Sequence, residues 1–300
     1  NGRTAELTRC GYVGLVGRPN VGKSTLLNTL LGVKLSIVSR RPQTTRHCIL
    51  GVETREDAQF IYIDTPGLHG DEKRALNRCL NRSAVAALAD VDVIVMVVEP
   101  ERWGDDDERI LDHLRRVGRP VIAAINKVDV IADKDRLLPD IQRLAERYPF
   151  EEIVPMSAME GDNVAPLEGA IRRLLPEAPF FFPEDDVTDR SERFLVAELI
   201  REQLMRTLGE EVPYSTSVAV DAFEPSDDVV RIAAVIWVER EGQKAIVIGQ
   251  GGRQLKGIGQ RARREVEKLL EQQAHLELWV KVRAGWADDE QALRSLGYDG

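Results

Sequence analysis

Cysteine is scarce in this chain of 300 residues. Its three cysteines, Cys10, Cys48 and Cys79, are scattered and odd in number, with neither a CxxC nor a metal-type spacing. That argues against a disulfide framework and a thiolate metal site, and points to a reducing compartment, the cytoplasm. Histidine is equally sparse. His47, His69, His113 and His275 are too far apart for ligand spacing and read as surface or core residues. No apolar run is long enough, or free enough of charge, to cross a bilayer. Asn1–Glu6 carries no apolar core of a signal peptide. Positive charge is in deficit, with a formal net charge of -9. That excludes a protein that coats nucleic acid by charge alone, but leaves room for a local basic groove.

What is present is ordered phosphate chemistry. The length predicts two domains, each able to bury its own core. Near the start stands Gly17-Arg18-Pro19-Asn20-Val21-Gly22-Lys23-Ser24, which fits the phosphate-binding loop G-x-x-x-x-G-K-[ST]. A strand pattern, 12–16, precedes it and a helical pattern, 23–31, follows. Gly17 and Gly22 let the backbone curl so that its N–H groups face anionic oxygens, and the helix adds its positive end. Lys23 brings a point charge to the β- and γ-phosphates, and Ser24 is placed to ligate Mg2+. Val21 and Thr25 flank these groups in the same turn.

Residues 11–175 alternate strand patterns (48–54, 59–63, 92–98, 120–125, 152–156) with helical ones (74–89, 106–117, 133–147, 165–175). This implies an α/β domain with a mostly parallel sheet, in which ligands bind beyond the carboxyl ends of the strands. Asp105-Asp106-Asp107-Glu108 reads as a helix N-terminus. The polar segment 36–46 reads as a mobile loop whose threonine reaches the metal when a γ-phosphate is present; Thr45 is preferred to Thr44. Asp64-Thr65-Pro66-Gly67 ends a strand. There Asp64 holds the metal through water and Gly67 offers its N–H to the γ-phosphate. After the next apolar strand, Asn126-Lys127-Val128-Asp129 presents a carboxylate to the donor pair of guanine, which adenine lacks. Asn126 meets the other edge of the base and the Lys127 stem covers its face. Ser157-Ala158 offers backbone N–H groups to the guanine carbonyl.

These motifs, in this order, resemble the translation-factor-class GTPases. The resemblance implies GTP and GDP as ligands, Mg2+ held by Ser24, Thr45 and Asp64, and a catalytic set of Lys23, Thr45 and Gly67. Leu68 stands where a water-orienting glutamine is found in Ras-like chains, so hydrolysis needs another group. In related GTPases with asparagine at the Asn20 position, a potassium ion supplies that charge.

Residues 176–186 are rich in proline and acid and read as a linker whose three phenylalanines pack between domains. The expected division is a GTPase domain, 1–178, a linker, 179–189, and a second domain, 190–300. The second domain reads as a helix (190–207), strands (215–223 and 229–238), a long helix (253–273) and a last strand (275–282). Gly249-Gln250-Gly251-Gly252 has the GXXG form that clamps single-stranded nucleic acid in KH domains. Arg253, Lys256, Arg261 and Arg264 follow, and no acidic residue lies from Ala245 to Arg264. Ile246, Val247, Ile248, Leu255 and Ile258 are candidates to seat bases. Ala245–Ile248 has strand propensity, whereas the KH resemblance favours a short helix. Trp237 and Trp279 read as core, Trp103 and Trp286 as contact residues.

Taken together, the halves resemble the bacterial Era GTPase family, a GTPase joined to a smaller α+β KH domain of type II. The stretches that carry the resemblance include Gln43-Thr44-Thr45-Arg46, Leu68-His69, Leu276–Val282 and Gly285–Glu290. The resemblance implies a monomeric cytoplasmic GTPase that binds the 3′ end of small-subunit rRNA and assists 30S assembly. It also implies some peripheral membrane association. A regulatory or membrane-associated GTPase whose C-terminal domain binds protein remains the alternative.

Overall fold

The computed structural model describes residues 8–39, 41, 44–67, 74–209 and 212–295. Gln43, Leu68 and His69 lie outside these. The chain forms two compact units. One comprises Asn1–Ser36, Thr45–Gly70 and Leu80–Asp189; the other comprises Ile37–Thr44, Asp71–Cys79 and Arg190–Gly300.

The first unit is built on β1 (Arg9–Val16), β2 (Ile49–Thr54), β3 (Ala58–Asp64), β4 (Val93–Val98), β5 (Val121–Ile125) and β6 (Glu152–Pro155), in the order β2-β3-β1-β4-β5-β6. All neighbours run parallel except β2 and β3. Every residue of β4 and β5 is buried. That is why these strands read as unbroken apolar runs, since a sheet covered on both faces needs no polar side. The strand order reverses between β1 and β4, so the crevice beyond their carboxyl ends is the topological switch point where such sheets bind ligands. β1 delivers the phosphate loop there and continues into α1 (Lys23–Leu31). β3 delivers Asp64, and β5 delivers Asn126. This half also holds the residues of α2 (Ala75–Ala87) from Leu80 on, and α3 (Asp105–Val117), α4 (Leu137–Arg147) and α5 (Val164–Leu174). The α3 start is as expected: Asp107 accepts the Gly104 N–H at 2.9 Å.

Residues 181–188 run along the edge of this sheet, inside the first unit. The Val52 N–H donates to the Val187 carbonyl at 2.8 Å, and buried Gln59 accepts from the Phe181 and Phe182 N–H groups at 2.9 and 3.0 Å. Edge strand β2 thereby gains partners for its outer backbone groups.

The second unit contains α6 (Glu192–Thr207), β7 (Thr216–Glu224), β8 (Val229–Val238), α7 (Glu241–Ile248), α8 (Arg253–Leu270), β9 (Gln273–Val282) and α9 (Glu290–Ser295). Its sheet has the order β7-β8-β9, with β7/β8 antiparallel and β8/β9 parallel. Ala274, Leu276, Leu278, Val280 and Val282 alternate inward along β9 and share a core with α6 and α8. On α6, buried Glu198 and Arg201 pair at 2.6 Å, and Arg201 also donates to the Thr44 carbonyl. Glu202 accepts the Val38 N–H at 3.0 Å.

Several expectations change here. Ala245–Ile248 is helical, as the KH resemblance favours and propensity alone does not. α8 stops at Leu270 rather than at 273, because Glu271 turns into the left-handed region (φ 51). Trp279 is not core: it falls on the outer phase of β9 and is 59% exposed. Trp286 is fully buried and donates to the Ser215 carbonyl at 3.2 Å, so it is packing rather than a contact residue. Val247 and Ile258 are likewise wholly buried, which removes them from any base-seating surface.

Candidate functional site

The phosphate loop needs glycine at both ends for steric reasons. Gly17 (φ 152) approaches the Val97 carbonyl so closely that a Cβ would lie 2.4 Å from its oxygen, and at Gly22 (φ 104) a Cβ would lie 2.2 Å from Asn126 Nδ2. Lys23 opens α1 with its ammonium buried, donating to the carbonyls of Gly17 at 2.8 Å and Arg18 at 3.0 Å. Burial lowers its pKa to about 8, with Asp64 acting the other way and Arg18 adding to the drop. No acidic residue occupies the first turn of α1, so the positive end of the helix is left for an anion.

Oxygen ligands converge beside it. Ser24 Oγ donates to Asp64 Oδ2 at 2.7 Å and lies 2.7 Å from Thr45 Oγ1; Thr45 donates to the same carboxylate oxygen at 3.4 Å. Thr44 points elsewhere: its hydroxyl meets Ser39 and the Arg41 carbonyl. Asp64 is fully buried, and its Oδ1 has no hydrogen-bond partner among the described residues. Burial pushes its pKa up, while the Lys23 charge and the Ser24, Ser36 and Thr45 hydroxyls pull it down. A buried carboxylate oxygen without a donor, next to two hydroxyls, suits Mg2+. That cation takes one or two protein carboxylates and completes its shell with water and phosphate. Ser36, which donates to Asp64 at 2.8 Å, carried no sequence signal. Thr65 bonds the Leu15 carbonyl at 2.8 Å, fixing the start of the Asp64–Gly67 turn. A Cβ on Gly67 would lie 2.8 Å from Pro19 N, so only glycine lets this backbone come so close to the phosphate loop.

At the base-recognition end, Asn126 acts as a brace. Its Nδ2 donates to the Val21 carbonyl and its Oδ1 accepts from the Ala158 N–H, both at 2.8 Å. Lys127 takes a left-handed conformation (φ 65) and donates to the Asn20 carbonyl at 2.6 Å and to Glu99. Asp129 is solvent-exposed, and buried Ser157 steers it by donating to Oδ1 at 2.6 Å. Two features escaped sequence reasoning. Glu99 pairs with Lys127, and Arg18 Nε pairs with buried Asp107 at 2.7 Å. Only their place after a central strand and in a helix first turn hinted at them.

In the second unit, Gly249, Gly251 and Gly252 all have positive φ (70, 59 and 75), so Gln250 and Gly251 project between α7 and α8. Arg253, Lys256 and Arg264 are exposed on α8. Arg261, also exposed, bends back to the Thr207 hydroxyl at 2.8 Å. A groove beside the loop is lined by Gly252, Leu255, Lys256, Gln260, Arg263 and Leu278. Ile248 borders the loop and is half-buried.

These geometries have close relatives. The family described as 50S ribosome-binding GTPase matches residues 12–127, and the KH domain family matches residues 211–287. GTPase Era of Glaesserella parasuis serovar 5 is 55% identical over 296 residues, covering 98% of this chain and 99% of that one. GTPase Era of Coxiella burnetii is 53% identical over 292 residues, covering 97% and 99%.

The chain belongs to the Era GTPase family.

As such it is a GTPase, converting GTP to GDP and phosphate. Two solved Era structures, each 41% identical and covering 98% of this chain and 100% of theirs, have the same fold. One, from Aquifex aeolicus, is bound to GDP.AlF4- (TM-score 0.94). The other is in complex with MgGDPNP and nucleotides 1506–1542 of 16S ribosomal RNA (TM-score 0.95). Among the described residues of this Era-family chain, no helix is long and apolar enough to cross a membrane.

Proposed function

We propose that this Era-family GTPase is a nucleotide-timed reader of the 3′ end of small-subunit rRNA and acts in 30S assembly in the cytoplasm. The observation that carries the nucleotide half is the convergence of Ser24, Thr45 and Asp64 beside buried Lys23. Gly17–Thr25 wraps the phosphates with backbone N–H groups, and Lys23 supplies the charge that follows the γ-phosphoryl group through the transition state. Ser24, Thr45 and Asp64 would hold Mg2+, which would supply positive charge against the phosphates. Asp129 accepts from the guanine donor pair, the Lys127 stem covers the ring, and Asn126 with Ser157-Ala158 fixes the loops around it. Thr45 and the Gly67 N–H sense the γ-phosphate, so its loss releases both segments.

In this reading Asn20 would hold a K+ ion near the phosphates, which would supply the extra transition-state charge that a water-orienting glutamine or an arginine finger gives elsewhere. Equal GTP turnover in sodium and potassium buffers would count against that. In the second unit, Gly249–Gly252 with Arg253, Lys256, Arg261 and Arg264 clamps the RNA backbone while Ile248 and Leu255 flank the bases. The experiment uses the full chain. It measures GTP turnover, and binding of a single-stranded RNA with the 3′-terminal small-subunit rRNA sequence at several salt concentrations. Tight, sequence-selective binding that weakens with salt and fails for Lys256→Glu supports the reading. Turnover without any RNA binding moves a protein-binding second domain, and peripheral membrane association, to the front.

A further inference from the structure

β4 and β5 are parallel neighbours, with Val98 paired to Ile125. The last ladder bond runs from the Asn126 N–H to the Val98 carbonyl at 2.8 Å. Glu99 and Lys127 therefore leave adjacent strands side by side. The Glu99 side chain is only 9% exposed, and its carboxylate holds the Lys127 ammonium, with Arg102 at 3.5 Å from its second oxygen. The ammonium also donates to the Asn20 carbonyl of the phosphate loop. Lys127 is thus fixed at both ends, by a left-handed backbone (φ 65) at one and by two acceptors at the other. The same β4–α3 loop reaches the phosphate loop again, where the Arg102 carbonyl accepts from Arg18 at 2.6 Å.

We propose that Glu99 is a positioning residue for nucleotide retention, acting through Lys127. By anchoring the ammonium it lays the four-carbon stem across the base-binding face and ties it to the phosphate loop, so guanine meets a pre-ordered lid rather than a free side chain. This rests on the assignment of Lys127 to the base site. The stem covers the face of the ring and leaves its edge to Asp129. Glu99 therefore governs how long a nucleotide stays, not which purine is chosen.

The test measures dissociation of fluorescent GDP and IDP from the full chain carrying Glu99→Gln, Lys127→Ala or both, with apo thermal midpoints alongside. IDP lacks the 2-amino group that Asp129 reads. Glu99→Gln is expected to speed release of both nucleotides together, roughly tenfold for a lost charge-assisted hydrogen bond. The GDP/IDP ratio stays fixed, and the substitution adds less than about twofold in the Lys127→Ala background. Glu99→Asp, which keeps the charge with a shorter reach, recovers part of the effect and covers the case of a poorly folding Gln variant. A full Glu99→Gln effect that persists without Lys127, or a changed GDP/IDP ratio, overturns the proposal. Unchanged release from Lys127→Ala would instead overturn the base-site assignment on which it stands.

Discussion

Ser24 Oγ and Asp64 Oδ2 are 2.7 Å apart, with the hydroxyl donating, and this one bond links the phosphate loop to the end of β3. The other oxygen of the same carboxylate, Oδ1, is left without a donor among the described residues, where a magnesium ion would need oxygen. Asp64→Asn keeps the shape of the carboxylate but removes the charge and one lone-pair face. GTP turnover is expected to fall about 100-fold, the scale of losing a preorganised charge at a phosphoryl site. The Mg2+ concentration that slows GDP release should rise at least about tenfold. Ser36→Ala removes only a donor to the carboxylate and should cost about 1–2 kcal/mol of stability with a small change in turnover. A magnesium titration of fluorescent-GDP release separates the two; equal effects would mean that Asp64 acts structurally.

Lys23 gives a pH signature. The unfolded chain keeps this proton to its ordinary value of 10.5, whereas the folded, nucleotide-free protein releases it near 8 because the ammonium is buried. Between these values the unfolded state binds more protons, so stability rises with pH. Below about 8 the burial cost is fully present, on the order of 3 kcal/mol. Phosphate restores the charged form. GDP binding at pH 8 should therefore take up about half a proton, and almost none at pH 6.5. Calorimetry in buffers of different ionisation enthalpy measures this directly, and no uptake at pH 8 would contradict the burial of Lys23.

Glu53 runs the opposite way. Burial, then the charge of Glu168, push its pKa up to about 8 against the pull of Arg55, which bridges to Glu168 at 3.0 Å. From its ordinary 4.5 up to about 8 the folded state binds the extra proton, so stability from this group is complete below 4.5 and lost as pH passes 8. Glu53→Gln mimics the protonated form. Its thermal midpoint should exceed that of the parent by roughly 4 °C or more at pH 8 and match it at pH 4.5. A gain that is the same at both pH values would locate the effect outside this ionisation.

What was legible in the sequence was chemistry tied to chain neighbours. Gly17–Ser24 announces itself because strand, loop and helix are contiguous, and buried β4 and β5 show as unbroken apolar runs. Asp64 and Asn126-Lys127-x-Asp129 were visible for the same reason, each being the tip of such a strand. Partners distant in sequence were not. Glu99 on Lys127, Asp107 on Arg18 and Ser36 on Asp64 depend on which strands lie adjacent, and that is a property of sheet order. Trp279 shows a second limit. β9 alternates, so one residue of phase decides core or solvent, and a tryptophan reads as apolar in either. At Ala245–Ile248 propensity alone pointed to a strand and the KH resemblance to a helix; the packing of Val247 into the core formed with α6 and α8 overrides the β preference of its side chains.

Gly249 and Gly252 both have positive φ but differ in ψ (173 and 6) and in surroundings, and that difference separates folding from RNA contact. A Cβ on Gly249 would lie 2.6 Å from Gln254 Cβ, whereas one on Gly252 meets nothing within 4 Å. Gly249→Ala adds a clash to backbone strain and should cost more than about 2 kcal/mol, read as a lowered midpoint. Gly252→Ala costs only the strain, about 1–2 kcal/mol, and leaves the unit folded. In the proposed RNA site its methyl group would stand where a phosphodiester backbone comes close to the loop, so RNA affinity should fall roughly tenfold with an unchanged salt slope. Lys256→Ala, which removes a charge and no space, should instead lower the slope of log affinity against log salt by about 0.7. If Gly252→Ala binds RNA as well as the parent while Lys256→Ala does not, the strand passes along α8 and does not approach the glycine loop.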